Sequence, residues 1–351
     1  MTAEQDIQEQ VQTAAAGQTP LAIQGGNSKA FYGRTTAGKP LSLADHHGII
    51  DYTPSELVIS ARAGTSLTEL ESVLAQEDQM LSFEPPHFGE SATLGGSVAC
   101  GLSGPRRPYT GAVRDFVLGV NCINGKGEYL RLGGQVMKNV AGYDLSRTLT
   151  GSLGTLAVLL DIHLRVLPLP ALDLTLVQNC SAATAVENCN RWAGRPLPLS
   201  AACHLEDRLY IRLSGMAEGV QAAATAIGGE PLDHAGHFWE QLREQQLPFF
   251  AGDTPLWRLS VPAATQPLAL DGEVLLDWGG AQRWLRSKLP AAAIRSAVAA
   301  VGGHATLFRG GDRSSTVFQP LQPALLALHQ RLKNTLDPAG IFNPGRMYPE
   351  L

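Results

Sequence analysis

Between Glu84 and Arg107 the chain reads Glu-Pro-Pro-His-Phe-Gly-Glu-Ser-Ala-Thr-Leu-Gly-Gly-Ser-Val-Ala-Cys-Gly-Leu-Ser-Gly-Pro-Arg-Arg. Gly95, Gly96, Gly101 and Gly104 lack a Cβ, so a ligand can approach the main-chain N–H groups closely there. Successive N–H groups in such turns make anion-binding concavities. Thr93, Ser97 and Ser103 add hydroxyls, and Arg106 and Arg107 add fixed positive charge. By itself the stretch reads either as a diphosphate cradle or as a tight surface loop between strands.

Two further regions have the same character. A short strand at Leu21 to Ile23 enters Gln24-Gly25-Gly26-Asn27-Ser28-Lys29-Ala30-Phe31-Tyr32-Gly33, and a strand feeding a glycine-led loop fixes where its N–H groups point. A hairpin turn is the alternative. Lys138 to Leu156 is the third, with Asp144 placed to cap a short helix that Gly151 ends. Gly33-Arg-Thr-Thr-Ala-Gly38-Lys39-Pro40 nearly matches a Walker loop, but Pro40 stands where the Mg²⁺-binding hydroxyl belongs and keeps Lys39 out of a helix. No Gly-x-Gly-x-x-Gly follows a strand, so a dinucleotide site of the Rossmann kind has no support.

The 37 glycines among 351 residues exceed the average share of roughly 7%, and the excess falls before residue 155. A formal charge of −5 without a basic block argues against nucleic acid as a partner. The five cysteines contain no Cys-x-x-Cys pair, which argues against a disulfide framework and against a zinc or iron–sulfur site within the chain. A reducing, cytoplasmic setting follows, and Glu4, Asp6 and Glu9 stand where a secretory signal would be basic and apolar. The most apolar run, Leu153 to Leu169, is broken by Asp161, His163 and Arg165, so membrane contact is expected only through partners.

In chain order, residues 2 to 16 form a polar helix with Ile7, Val11 and Ala14 on one face. Ser66 caps a helix from Leu67 to Gln76, with Glu69 completing a capping box. Phe116 to Leu132 is a hairpin turning at Asn124-Gly125-Lys126-Gly127. From Thr155 a strand buries Ile162, Leu164 and Val166 and alternates His163 and Arg165 outward. Pro168 and Pro170 mark a change, after which strands and helices to Phe308 suggest an antiparallel sheet with helices on one face. An amphipathic helix from Pro320 to Leu336 ends at Asp337-Pro-Ala-Gly-Ile-Phe-Asn-Pro-Gly-Arg346. The fold class is thus α+β, with domains over residues 1–168 and 169–318 and a C-terminal segment, 319–351, returning to the first.

The three loops, Met137-Lys-Asn-Val-Ala-Gly-Tyr-Asp-Leu, Gly151-Ser-Leu-Gly-Thr-Leu and Phe342-Asn-Pro-Gly-Arg-Met occur in the same order in a known family. The chain resembles the FAD-linked oxidases of the vanillyl-alcohol oxidase type, and among them the smaller FAD-binding subunits of bacterial glycolate oxidases. The resemblance covers residues 1 to about 168 and the last 25 or so. It implies a PCMH-type domain whose two α+β subdomains sandwich FAD, with an α+β cap. It also implies cofactor contacts from Gly25, Gly26, Asn27, Ser28 and Lys29 and from Pro86, Thr93, Leu94, Gly95, Gly96, Ser97, Gly101, Gly104 and Arg106. Lys138, Gly154 and Val158 complete the set, with Asn343 near the isoalloxazine edge. Relatives with covalent FAD carry a histidine in the first glycine loop. Asn27 follows Gly26 here, so non-covalent FAD is expected, with His87 structural. The implied partners are a larger FAD-containing glycolate oxidase subunit and an iron–sulfur subunit.

Larger, substrate-oxidising relatives hold a metal and a 2-hydroxy acid with a His-rich Gly-Asp-Gly-Asn segment late in the cap. This chain lacks it, and Gly303-His304 and Gly310-Gly311-Asp312 are the nearest fragments. His46-His47 and the pair His234 and His237 lack the carboxylate of a metal site, while Arg309 and Arg313 are candidate carboxylate partners. Three functions stay open: an FAD-bearing subunit supporting oxidation of glycolate to glyoxylate, a self-sufficient 2-hydroxy-acid dehydrogenase, and a scaffold without flavin. No catalytic residue is assigned.

Overall fold

The computed structural model describes residues 2–134 and 145–351. Lys138 and Met137 to Asp144, including the expected cap at Asp144, lie outside them. The chain divides into two compact units, one of Met1–Leu102, Ala112–Pro168 and Arg313–Leu351, the other of Ser103–Gly111 and Leu169–Asp312.

In the first unit, α1 (Ala3–Ala16) starts at Thr2, whose hydroxyl accepts from Gln5 N–H while Gln5 Oε1 accepts from Thr2 N–H. Reciprocal bonds of this kind satisfy two donors that a helix start would otherwise leave open. Ile7, Val11 and Ala14 are its buried stripe. β1 (Leu21–Gln24) pairs in parallel with β2 (Lys39–Ser42), so the near-Walker stretch ends in a strand. β3 (Ile49–Thr53) and β4 (Val58–Arg62) lead to α2 (Leu67–Ala75), where the Ser66 hydroxyl accepts from Glu69 N–H and Leu67, Leu70 and Leu74 are buried. Next come β5 (Gln79–Met80), α3 (Leu94–Cys100), β6 (Val117–Ile123), β7 (Tyr129–Gly133), β8 (Val158–Arg165) and β9 (Leu167–Pro168). The five-stranded sheet runs β3-β4-β8-β6-β7, antiparallel throughout. Leu336, Ile341 and Phe342 join its core from the far end of the sequence.

β8 is buried along nearly its whole length, which corrects the outward reading of His163. As the central strand it has both faces covered, so alternation does not mark a solvent side. The His163 ring accepts or donates at Nδ1 to the Ser60 hydroxyl at 2.7 Å, and His46 Nε2 lies 3.0 Å from Asp161 Oδ1. Asn121 Nδ2 donates to Asp161 Oδ2. Burial pushes the Asp161 carboxyl up, but the hydrogen bonds from His46 and Asn121 outweigh it and hold it below its ordinary value. Burial pulls His163 below the usual imidazole range against the attraction of Asp161.

Both groups therefore bind protons less readily folded than unfolded. Their contribution to stability is complete above about pH 6.5, the unfolded histidine value. It falls as unfolded His163 takes up a proton, and again below about pH 4 as Asp161 titrates. Urea midpoints should decline from pH 7.5 to 5, and His163→Gln should flatten that decline. An unchanged slope in the variant would refute the assignment.

The second unit is built on β10 (Leu172–Asn179), β11 (Leu199–Leu205), β12 (Arg208–Gly215), β13 (Glu230–Pro231), β14 (Leu256–Ser260), β15 (Glu273–Asp277), β16 (Gln282–Arg286) and β17 (His304–Arg309). They form one antiparallel sheet in the order β13-β10-β12-β11-β15-β16-β14-β17. Glu206 and Asp207 both adopt positive φ and close the β11–β12 hairpin, the backbone that a two-residue turn needs to match strand twist. Trp192, Trp239, Trp257 and Trp284 are buried in this unit.

Candidate functional site

The first unit contains a cleft of about 360 Å³, within the range of about 300–1,000 Å³ common for small-molecule sites. Its walls are the end of β1 with the loop after it, the start of α3, the turn at Leu153-Gly154, the face of β8 carrying Leu159, and the C-terminal residues Asn343 and Arg346. Ile23, Leu43, Ala63, Ala99, Ala157 and Leu159 make it apolar over much of its surface.

The loop after β1 supplies the donors. Gly25, Gly26, Asn27 and Ser28 line the cleft, and among the described residues none of their N–H groups has an acceptor in the chain. Asn27 sits at φ +57°, a conformation asparagine tolerates, and its side-chain amide donates to Gln24 Oε1 at 3.1 Å. A turn of successive free N–H groups is an anion nest. Close packing holds it in place: a Cβ on Gly26 would overlap the Ser91 carbonyl, and the Ser91 hydroxyl donates to Gly26 O. Lys29, buried at the same wall, donates to His87 O at 3.2 Å.

The stretch from Thr93 lines the cleft without the expected row of open N–H groups. It forms helix α3 rather than a loop, and its first N–H groups are already used. Leu94 N–H goes to Thr65 O, Gly95 N–H to Ala63 O, Gly96 N–H to the Thr93 hydroxyl and Ser97 N–H to Thr93 O. Gly95 is a packing residue, since a Cβ there would lie 2.6 Å from the Ala63 Cβ. Among the described residues a Cβ at Gly96 would meet only Thr93 Oγ1, at 3.1 Å. Thr93 and Gly96 are thus wall, and the free donors are in the first loop.

Asn343 and Gly154 also line the cleft. Asn343 Oδ1 accepts from Ile23 N–H at 2.9 Å and its Nδ2 donates to Leu153 O at 2.8 Å, so its amide ties two walls together. Other expected contacts fall elsewhere. Leu94 is in the core, Ser97 is buried, Pro86 is buried, and Gly101 ends α3 against Gly151. Ala157 and Leu159 face the cleft, so the two-residue period of a strand turns Val158 away. Gly104 and Arg106 belong to the second unit, where Gly104 O accepts from the Trp278 indole and Arg106 lies 3.6 Å from Asp173. Arg313 donates to Phe31 O and Gly33 O.

Sequence reasoning missed two cations of the cleft, Arg34 and Arg346, and the thiol of Cys100. Arg346 had a signal, because it ends the Phe342-Asn-Pro-Gly-Arg motif. Burial pushes the Cys100 thiol up, and Lys29 and Arg346 pull it partly back. Among the described residues no Asp or Glu lines the cleft. Free N–H groups, three cations and an apolar wall fit a ligand that joins a diphosphate to flat rings, as FAD does.

Comparison with known proteins agrees. Residues 1–133 match the family described as FAD binding domain, and residues 310–347 match FAD linked oxidases, C-terminal domain. An alkyldihydroxyacetonephosphate synthase structure shares the fold, with a TM-score of 0.67 over 97% of this chain and 75% of that one at 15% identity. Glycolate oxidase subunit GlcD of Bacillus subtilis (strain 168) is 30% identical over 153 residues, 42% of this chain and 32% of that protein. Glycolate oxidase subunit GlcE of Escherichia coli (strain K12) is 52% identical over 347 residues, 99% of this chain and 98% of its own length. The chain belongs to the FAD-linked oxidoreductases, in the family of glycolate oxidase subunit GlcE.

Proposed function

We propose that this chain is the FAD-binding subunit of a glycolate oxidase complex, supporting oxidation of glycolate to glyoxylate. The observation that carries the reading is the nest at Gly25 to Ser28, set in a cleft lined by cations and, among the described residues, by no carboxylate. The near full-length identity to a protein named as a glycolate oxidase subunit adds the substrate. Residues 1–168 and 319–351 are assigned as the FAD domain and 169–318 as the cap.

In this reading the four N–H groups and Lys29 hold the diphosphate, and Thr93, Gly96 and Gly154 shape the wall beside it. Asn343 fixes the distance between β1 and the Leu153 turn. Bound FAD supplies a two-electron acceptor, and the chain positions and tunes it. Asn27 after Gly26 and the engagement of the His87 ring near Glu71 Oε2, at 3.1 Å, support non-covalent attachment. All five cysteines are free, and among the described residues no three metal-ligating side chains converge. Electron export is therefore assigned to an iron–sulfur partner, and a larger FAD-containing subunit is the other expected partner. No helix among the described residues is long and apolar enough to cross a membrane, so membrane attachment is assigned to the partners.

The purified chain is expected to carry one FAD, released on acid precipitation, and to co-purify with a larger flavoprotein subunit when the two are co-expressed. Glycolate should reduce an artificial acceptor in the complex. A chain that stays colourless after reconstitution with FAD would refute the cofactor reading, and a flavin that remains with the denatured chain would refute non-covalent attachment.

A further inference from the structure

Lys29 follows the nest directly in sequence, and its placement depends on a second stretch of chain. The ammonium is buried, 3.4 Å from Ser28 Oγ and 3.2 Å from His87 O. An ammonium is a point charge on a flexible four-carbon stem, so whatever holds its donors sets where the charge sits. One of those holders is a carbonyl 58 residues away in the chain.

The peptide bearing that carbonyl joins His87 to Phe88, and both side chains are tied down. His87 Nε2 lies 3.1 Å from Glu71 Oε2 on α2. The Phe88 ring packs edge-on against Phe31 with centroids 5.4 Å apart, and the Lys29 ammonium sits 5.9 Å from the Phe88 centroid. Glu84 at φ +47° and Phe88 at φ +53° are in left-handed backbone, which a non-glycine residue keeps only where its surroundings hold it. Farther along, the Ser91 hydroxyl donates to Gly26 O. Residues 84–91 therefore follow the nest loop from Gly26 to Phe31, and Glu71 ties them to a helix whose Leu67, Leu70 and Leu74 are buried. Glu71 and His87 lie outside the cleft lining, so their influence on a ligand passes through what they hold. A binding group keeps its geometry only when the residues behind it are themselves locked.

We propose that His87, held by Glu71, is a positioning residue for the cofactor: it fixes the carbonyl that aims the Lys29 ammonium at the diphosphate. The proposal rests on the reading that the cleft holds FAD. It goes beyond that reading in assigning part of the affinity to two side chains that do not touch the ligand.

The test is a double-mutant cycle on FAD affinity, read by quenching of flavin fluorescence on titration into apoprotein. Lys29→Met should raise the FAD Kd about tenfold or more, the scale of a lost charged hydrogen bond. Glu71→Gln and His87→Phe should each raise it about threefold to tenfold, the range of coupling between residues that share a partner. In the Lys29→Met background the same two substitutions should change the Kd by less than about twofold, because the group they position is gone. Glu71 is partly exposed, so Glu71→Gln supplies a folded variant should His87→Phe fail to fold. Unchanged affinity in Glu71→Gln or in a folded His87→Phe protein overturns the proposal. Equal losses with and without Lys29 also overturn it, by assigning His87 and Glu71 to the fold alone, as does an unaltered Kd in Lys29→Met, which would remove the ammonium from the diphosphate. A wild type that binds no FAD at all instead refutes the underlying cofactor reading.

Discussion

Gly96→Leu is expected to give a folded protein that binds FAD about a hundredfold more weakly. The backbone admits the substitution, because among the described residues a Cβ at Gly96 would meet only the Thr93 hydroxyl, at 3.1 Å, while the rest of the new side chain extends into the cleft. α3 also loses a glycine and gains a good helix former, worth roughly 0.5–1 kcal/mol in its favour. A four-carbon side chain in a space of about 360 Å³ then competes directly with the cofactor. FAD affinity, followed by quenching of flavin fluorescence on titration into apoprotein, should fall by about two orders of magnitude, roughly 2.7 kcal/mol. The urea midpoint of the apoprotein should remain near the wild-type value. Gly95→Ala provides the contrast. Its Cβ would crowd Ala63, so it should destabilise the apoprotein itself by about 1–3 kcal/mol. Full FAD binding by a folded Gly96→Leu protein would show that this face of α3 is not a cofactor wall.

The contrast between those two glycines shows what could be read from the sequence. The density of glycine around residue 95 marked the right region, but not why each glycine is there. Gly95 answers to Ala63 in the turn after β4 and Gly96 to the cleft, and both facts depend on long-range packing. The same limit applies to the N–H groups. The glycine-rich stretch reads as a loop of open donors, yet it folds as α3 and the carbonyls of Ala63 and Thr65 reach its first N–H groups, leaving the loop after β1 with the unpaired set. Local periodicity succeeded where one face decides burial, as in α1 and α2. It failed for His163, because a central strand has no outer face. Arg34 was invisible for another reason: its partners Ser314, Ser315 and Gly345 lie some 280 to 311 residues away.

Asp337→Ala should be the most destabilising single substitution in the C-terminal segment. The Asp337 side chain is fully buried. Oδ2 accepts from Lys333 Nζ at 2.7 Å and from Phe342 N–H at 2.8 Å, and Oδ1 accepts from Ile341 N–H at 3.1 Å. Lys333 Nζ also donates to Thr155 O and Phe342 O, so every donor of the ammonium is used. Removing the carboxylate strands a buried cation and two backbone N–H groups together, which costs about 3–5 kcal/mol of a total near 5–15 kcal/mol. Lys333→Met should cost less, because Asp337 keeps its two backbone donors. The pH dependence separates lost charge pairing from lost packing. Burial already pulls the Lys333 pKa down, opposed by its hydrogen bond and attraction to Asp337. Without Asp337 it should fall further below the unfolded value of about 10.4, so folding then favours the neutral amine and the deficit should shrink as pH rises from 7 to 9.5. Residues 341–343 carry Asn343 into the cleft, so FAD affinity should drop along with stability. A loss below about 1 kcal/mol, the scale of an exposed ion pair, or a deficit independent of pH would show that the pair does not brace the segment against the cofactor domain.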